Sequence, residues 1–382
     1  MQSSYLPTPE IVNAYDLDDV YHFTLSNVNV SLANAIRRVI LSEIPTVVFQ
    51  THSQESNQCI ITENTSRLHN EILKQRLGCI PIHMKEELFT KEKDEFILPG
   101  KYIMELDVTN DTDNILFVTT EHFKIKNKTT GKYMSENDLK KIFPKNPITQ
   151  SYIDFARLRP RISDTLPGET LKLTCEFAIS EAKVNSMYNV VSKCSYAYTP
   201  DKEKMEEAWE SYEKTIQDST PEEIVFQKKN FELLDAQKYY KKDSFDFVVQ
   251  SIGVYDNLEI IKYACIILQH KFIDLIHFID SDAVMIVYSD TTIENSFDFV
   301  LENEDYTVGK VIEYILYENY FINEKKLTFC GFKKIHPHDS DSIIRIAFVD
   351  QVDKTVVRQL IRSACVEAQD IYKTIFNKFD GK

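Results

Sequence analysis

The sequence predicts an α+β fold of antiparallel sheets and long helices, and three observations carry that prediction. Alternating strands are followed by amphipathic helices, one strand–helix–strand–helix pattern recurs, and two long apolar-faced helices (257–279 and 354–379) close the two recurrences. The composition permits it. The 382 residues are 43% hydrophobic and 27% charged, the balance of a globular chain with room for two or three domains.

Tyr21, Phe23 and Leu25 alternate with His22, Thr24 and Ser26, which reads as a half-buried strand. In VSLANAIRRVILSEIP, Ser31 is placed as the N-cap and Leu32, Ala35, Ile36, Val39, Ile40 and Ile44 form a helical stripe that Pro45 stops. Thr46–Gln50 is β-prone. Beyond about residue 51 the texture changes. Strand-like runs (Lys101–Val108, Ile115–Lys126, Thr170–Ser180) alternate with loops and two short helices, near His69–Leu77 and Ser135–Phe143, as a separate small α+β unit would. Lys202–Tyr240 is charged and helix-prone, expected on the surface with Trp209 tucked inward.

Ser244–Ile252 reads as a strand and Asn257–Ile279 as a long helix. Its apolar positions 261, 264, 265, 268, 272, 275, 276 and 279 gain a second flank from Ile260, Tyr263 and Ile267. A helix apolar on two sides is covered on two sides. Ala283–Tyr288 and Phe297–Leu301 follow as strands, then a helix over Tyr306–Tyr317 and a hairpin of Leu327–Lys333 with Ile343–Val349. Lys354–Phe379 is amphipathic, with Val357, Leu360, Ile361, Ala364, Ala368, Ile371, Ile375 and Phe379 on one face.

Two segments echo each other. Ser31–Ile40 aligns without gaps on Thr307–Leu316, each after a strand and each with a hydroxyl residue placed as the cap. The second SFDFV match (244–248 and 296–300) is a decoy, because one copy precedes a closing helix and the other an opening helix. Two such units would bury their long-helix faces against each other, and fusion in one chain raises their effective concentration.

Several function classes are disfavoured. A net charge of −15 argues against gripping nucleic acid through phosphates, which needs clustered Lys and Arg. Glycine is scarce, at 8 residues, and no GxGxxG or GxxxxGK[ST] string occurs. The seven cysteines lack CxxC spacing and are expected to be free thiols in a reducing compartment, with Cys175 and Cys194 structural rather than a redox pair. The most apolar run, Ile260–Ile279, carries Lys262, His270, Lys271 and Asp274, so no membrane span is expected. His336, His338, Asp339 and Asp341 share a loop but match no standard metal spacing, so they are expected to form a polar turn.

A family resemblance enters through these residues. NVSLANAIRRVILSEIPTVVF resembles the opening helix and strand of the N-terminal domain of the bacterial RNA polymerase alpha subunit. It is closer still to the archaeal D-type polymerase subunit and the third subunit of RNA polymerase II. NTSRLHNEILKQRLGCIPI resembles that family's second signature. LKLTCEFAISEAKVNSMYNVVSKCSYAYTPD and SFDFVVQSIGVYDNLEIIKYACIIL follow in the family's order. From Ser296, FVLENEDYTVGKVIEYIL and LTFCGFKKIHPHDSDSIIRI look like the archaeal L-type polymerase subunit and the eleventh subunit of RNA polymerase II. A single-chain fusion of the two resembles the polymerases of nucleocytoplasmic large DNA viruses, which implies an intracellular protein, in the virion and host cytoplasm if viral and in the nucleus or cytoplasm otherwise.

The resemblance implies two alpha-N-terminal-domain-like dimerisation units fused in one chain. Residues 1–50 and 195–281 would form the first, interrupted by an inserted α+β domain (51–194), and residues 282–382 the second. It implies a non-catalytic assembly platform that docks the two largest polymerase subunits, which carry the Mg²⁺ site, with small tenth- and twelfth-like subunits as further partners. Asn34, Arg37, Arg38, Glu43 and Arg76, with Glu313 and Tyr314 in the second unit, are the implied docking residues. Ile261, Leu268, Phe272, Leu275, Leu360, Ala364, Ile371 and Ile375 are the implied pairing residues. Adjacent helical arginines diverge by about 100°, so one of Arg37 and Arg38 can face a partner carboxylate while the other pins the local fold. An Arg38→Ala change is expected to weaken docking with little effect on melting. His83–Lys101 holds no cysteine where many relatives carry a zinc loop, so no zinc is expected there. Two alternatives stand beside this platform: a free-standing α+β enzyme using acidic clusters for a metal, and a homodimeric scaffold unrelated to transcription.

Overall fold

Strand pairing and helix packing divide the described residues between two bodies. The structure is a computed structural model and describes residues 6, 8–53, 55–84, 100–163, 167–216 and 220–380. The larger body comprises Met1–Ile40, Lys193–Gln250 and Asn257–Lys382, and the smaller Leu41–Ser192 with Ser251–Asp256. In chain order the elements begin with β1 (Glu10–Leu17), β2 (Val20–Ser26) and α1 (Val30–Ser42). Next are β3 (Thr46–Val48), β4 (Cys59–Asn64), α2 (Asn70–Gly78), β5 (Tyr102–Thr109), β6 (Leu116–Thr119) and β7 (Lys124–Asn127). They are followed by α3 (Glu136–Ile142), β8 (Asp154–Leu158), β9 (Thr170–Glu176), β10 (Ala178–Ser180) and β11 (Val191–Pro200). Then come α4 (Lys202–Glu213), α5 (Pro221–Leu233), β12 (Tyr240–Ser251) and α6 (Asn257–Asp280). The last six are β13 (Ile286–Tyr288), β14 (Ser296–Leu301), α7 (Tyr306–Leu316), β15 (Leu327–Lys333), β16 (Ser342–Phe348) and α8 (Lys354–Asp380).

The larger body holds two four-stranded sheets of matching order, β1-β2-β12-β11 in its leading half and β13-β14-β16-β15 in its trailing half. In each half a central strand feeds a short buried helix (α1 or α7), and the other central strand feeds a long one (α6 or α8). SFDFV at 244–248 lies on β12 and SFDFV at 296–300 on β14, which hold non-equivalent places in that order. β1 and β2 turn through Asp18 and Asp19, both at positive φ (52° and 62°), the backbone of a two-residue hairpin that matches strand twist.

The two halves share one core. Phe23 of β2 stacks on Phe247 of β12 (4.9 Å between ring centroids) and meets Phe379 of α8 edge-on at 5.2 Å. Helices α6 and α8 run antiparallel: Asp280 pairs with Arg362 near one end (2.7 Å), and the Phe272 and Tyr372 rings stack at 6.0 Å further along. Ile260, Ile261, Ala264, Cys265, Leu268 and Phe272 of α6 are buried, whereas Tyr263 and Ile267 of the expected second flank are only half-buried. Trp209 of α4 is buried too, against Tyr212 and Phe231.

The smaller body is built on the sheet β4-β9-β5-β7, with two-stranded ribbons β3–β10 and β6–β8. Phe49, Phe123, Phe143, Phe155 and Phe177 form its aromatic core. Two runs read as single strands are each two. Ile115–Lys126 breaks at a 3₁₀ turn (Thr120–His122), where the Thr119 hydroxyl accepts the Glu121 N–H, and its pieces join different sheets. Thr170–Ser180 breaks at Phe177, and β10 leaves the main sheet to pair with β3. Elsewhere, Ala283–Tyr288 shortens to Ile286–Tyr288, and α7 continues into a π-helical turn over Tyr317–Asn323. The zinc-loop expectation for His83–Lys101 falls mostly on residues 85–99, outside the described residues.

Candidate pairing and docking site

Helices α1 and α7 hold equivalent places, and their starts correct the cap assignment. Asn29, not Ser31, caps α1: its Oδ1 accepts the Ser31 N–H at 2.9 Å. Asp305, not Thr307, caps α7, accepting the Thr307 N–H at 2.8 Å. The caps stand two residues before the hydroxyls, so the alignment of the helices holds while the capping group moves.

The arginine pair divides its work as neighbouring helical positions allow. Arg37 folds back onto its own helix, donating from Nε and Nη2 to Asn34 Oδ1 at 3.1 and 3.0 Å. Arg38 instead crosses to the trailing half. Its Nε donates to Thr307 Oγ1 at 2.8 Å and its Nη2 to Asp305 Oδ2 at 2.6 Å. The Arg38 guanidinium is thus engaged inside the chain. The equivalent positions of α7 differ. Lys310 pairs with Glu313 at 2.5 Å, three residues apart like Asn34 and Arg37. Tyr314, in the place of Arg38, is half-buried, and burial with the Glu318 and Glu367 charges pushes its hydroxyl up to about 12.

Two implied docking residues lie in the smaller body, each engaged within the chain. Glu43 is buried (7% exposed), with Lys183 Nζ 3.8 Å away. Arg76 spends its guanidinium on main chain, donating to Phe155 O at 2.7 Å and Asp154 O at 2.6 Å. It ties α2 to β8. The same body places Cys59 directly across from Cys175 on β4 and β9, with both thiols buried, while Cys194 lies in the larger body.

All but one of the implied pairing residues are buried. Ile261, Leu268 and Phe272 on α6, and Leu360, Ala364, Ile371 and Ile375 on α8, are all buried. Leu275 is only half-buried and lines a 430 Å³ cleft with Phe278, Val300 and Val308. Two further links join the halves: the Tyr372 hydroxyl of α8 donates to Leu32 O of α1 at 3.3 Å, and Arg358 pairs with Asp282 just beyond α6. Sequence inspection missed Asp305 and Tyr372, and it took Thr307, which the echo of α1 in α7 singled out, for a cap rather than an acceptor of Arg38.

Chemically, the arrangement offers surfaces and charges. Among the described residues no group of three or more His, Cys, Asp or Glu could hold a metal ion, and no helix is long and apolar enough to cross a membrane. Two antiparallel sheets of one order, with long antiparallel helices, define an α+β protein. The chain belongs to the RNA polymerase Rpb3/Rpb11 dimerisation domain family, whose profile matches residues 22–272. It is similar to the DNA-directed RNA polymerase subunit Rpo3 of Methanosphaera stadtmanae, 23% identical over 284 residues, 68% of this chain and 94% of that one. Rpo3 of Pyrococcus horikoshii is 26% identical over 269 residues, 66% of this chain and 91% of that one. The rpac1 subunit of RNA polymerases I and III of Dictyostelium discoideum is 28% identical over 188 residues, 47% of this chain and 49% of that one. The chain thus spans about half of the rpac1 relative and nearly all of the Rpo3 relatives.

Proposed function

We propose that this chain is a non-catalytic assembly-platform subunit of a DNA-directed RNA polymerase, carrying both members of the family's pair in one polypeptide. The observation that carries this proposal is the recurrence of one sheet order, with equivalent short and long helices, joined by the α6–α8 seam. On this proposal, residues 1–50 and 195–281 are the third-subunit-like half, 51–194 an insert, and 282–382 the eleventh-subunit-like half. The chain binds no cofactor of its own. The Mg²⁺ and nucleotidyl transfer belong to the two largest subunits, which this chain docks, with tenth- and twelfth-like subunits as smaller partners.

The two docking faces are unequal. The leading half presents Asn34 with Arg37, a net cation, and the trailing half presents Lys310 with Glu313, a self-neutralised pair, beside Tyr314. Unequal faces suit two different large partners, since specificity is a difference of affinities. Arg37 is the docking arginine. Its bond to Asn34 is short-range and partly exposed, so a partner carboxylate can replace it at little cost.

Affinity purification from the native source, followed by mass spectrometry, tests the proposal. Two very large subunits should co-purify, and recovery of the chain alone would overturn it. Arg37→Ala should reduce recovery of the second-largest subunit without moving the melting temperature.

A further inference from the structure

We infer that Arg38 and Asp305 form a one-way charge code that makes the leading half pair with a trailing half and not with another leading half. This rests on the paired-halves proposal above and adds to it the residues that decide which halves pair.

Equivalence of the two helix starts is the first support. Asn29 and Asp305 do the same local work, each accepting an N–H two residues on. An amide suffices for that, as Asn29 shows. The carboxylate at 305 therefore does something beyond capping, and its second oxygen shows what: Oδ2 receives the Arg38 guanidinium at 2.6 Å while Oδ1 caps α7. Thr307, the counterpart of Ser31, takes the Nε of the same arginine. Arg38 thus reads the cap and the first turn of α7 together.

The second support is asymmetry. The antiparallel α6–α8 seam relates the halves as a two-fold pairing would, and that relation carries the Arg38–Asp305 contact onto positions 314 and 29. Those residues are Tyr314 and Asn29, both neutral. One pairing of unlike halves holds one ion pair. Two leading halves would set Arg38 against an amide, and two trailing halves would set Asp305 against a tyrosine. The side chains are 34% and 25% exposed, so a mismatched charge there gives up much of its water without gaining a partner. Fusion makes the correct pairing local, and the code guards against like-with-like association between two chains.

Full-length variants test this. Arg38→Glu and Asp305→Lys each set like charges together, and the double variant restores an opposite pair in reversed order. The double variant should unfold at a higher denaturant midpoint than Asp305→Lys alone, although both lack the α7 cap. Refolding the two single variants together should also drive exchange of halves. In the mixed two-chain species both contacts are matched, so native mass spectrometry should find it at least about fivefold more abundant than the two like-chain species together, where random exchange gives about one to one. Arg38→Gln, Asp305→Asn and their combination keep the cap and give the coupling by a double-mutant cycle if the reversed variants fold poorly. Additive effects in that cycle, or a statistical mixture on co-refolding, would overturn the code. Neither measurement uses polymerase, so a code that holds in a chain that recovers no large subunits would leave the pairing and sink only the platform role.

Discussion

Replacing Phe272 by alanine tests the seam at its most buried aromatic position. Phe272 is fully buried on α6, and its ring stacks on Tyr372 of α8 at 6.0 Å with only 12° between planes. Removing a wholly buried ring costs about 3–5 kcal/mol, because the lost transfer energy is compounded by the cavity left in a packed interior. The lost ring pair sits at the upper end of that range. Leu275, one turn on, is half-buried beside a cleft, so Leu275→Ala should cost about 1–2 kcal/mol. Phe278, 57% exposed, should cost under about 0.5 kcal/mol when changed to alanine. Urea unfolding followed by the fluorescence of Trp209, the sole tryptophan and a residue of the larger body, reports this series. In thermal melts the first change should lower the midpoint by roughly 6–20 °C. A Phe272→Ala cost no greater than that of Leu275→Ala, or a substantial cost at Phe278, would refute the assigned helix face.

Gly309 faces the Phe332 ring so closely that an added Cβ would lie 2.0 Å from a ring carbon, whereas its counterpart in α1 is Ala33. Gly309→Ala should therefore destabilise the chain by about 1–3 kcal/mol, with partial rescue by Phe332→Leu in chemical denaturation. Asp298 receives both Arg345 Nε (2.7 Å) and Nη2 (2.8 Å), and those bonds hold its carboxyl below the usual aspartate range. Its contribution is thus complete above about pH 4 and disappears as pH falls through the depressed folded value. Asp298→Asn should be about 1–3 kcal/mol less stable at neutral pH, with the two stability curves converging in acid; a pH-independent gap would exclude the carboxylate as the cause. Arg76→Ala should loosen α2 from β8 by about 1–3 kcal/mol. Arg76→Lys should fail to rescue it, since a point donor cannot span two carbonyls, and hydrogen exchange at β8 would register the loss.

The long helices were legible because burial imposes a strong 3.6-residue period, and every apolar position named on α8 is buried. β1 gave no such signal. Its side chains are mostly exposed, and a bulge with Asn13 at φ 51° breaks the alternation. The caps were misplaced because serine, threonine, asparagine and aspartate all cap well, and nothing local decides among neighbouring candidates. The Arg38–Asp305 contact spans 267 residues and exists only once the halves pair, so no window of sequence contains it. The intrachain partners of Glu43 and Arg76 were not legible either, because polar side chains on signature segments look alike whether they meet a partner or their own chain.

The leading sheet has a consequence for biosynthesis. Its central pair joins Thr24 of β2 to Asp246 of β12, 222 residues apart, through a 2.7 Å hydroxyl–carboxylate bond. At ~5–20 residues per second, roughly 10–45 s pass between translation of the two strands. During that interval the hairpin of β1 and β2 has one edge without its native neighbour, while β14 and β16 of the trailing half, close in sequence, can pair soon after they emerge. The leading half therefore closes only once residues 27–239 have been made, though still before the strands of the trailing half emerge, and the β1–β2 hairpin waits longest for its native neighbour.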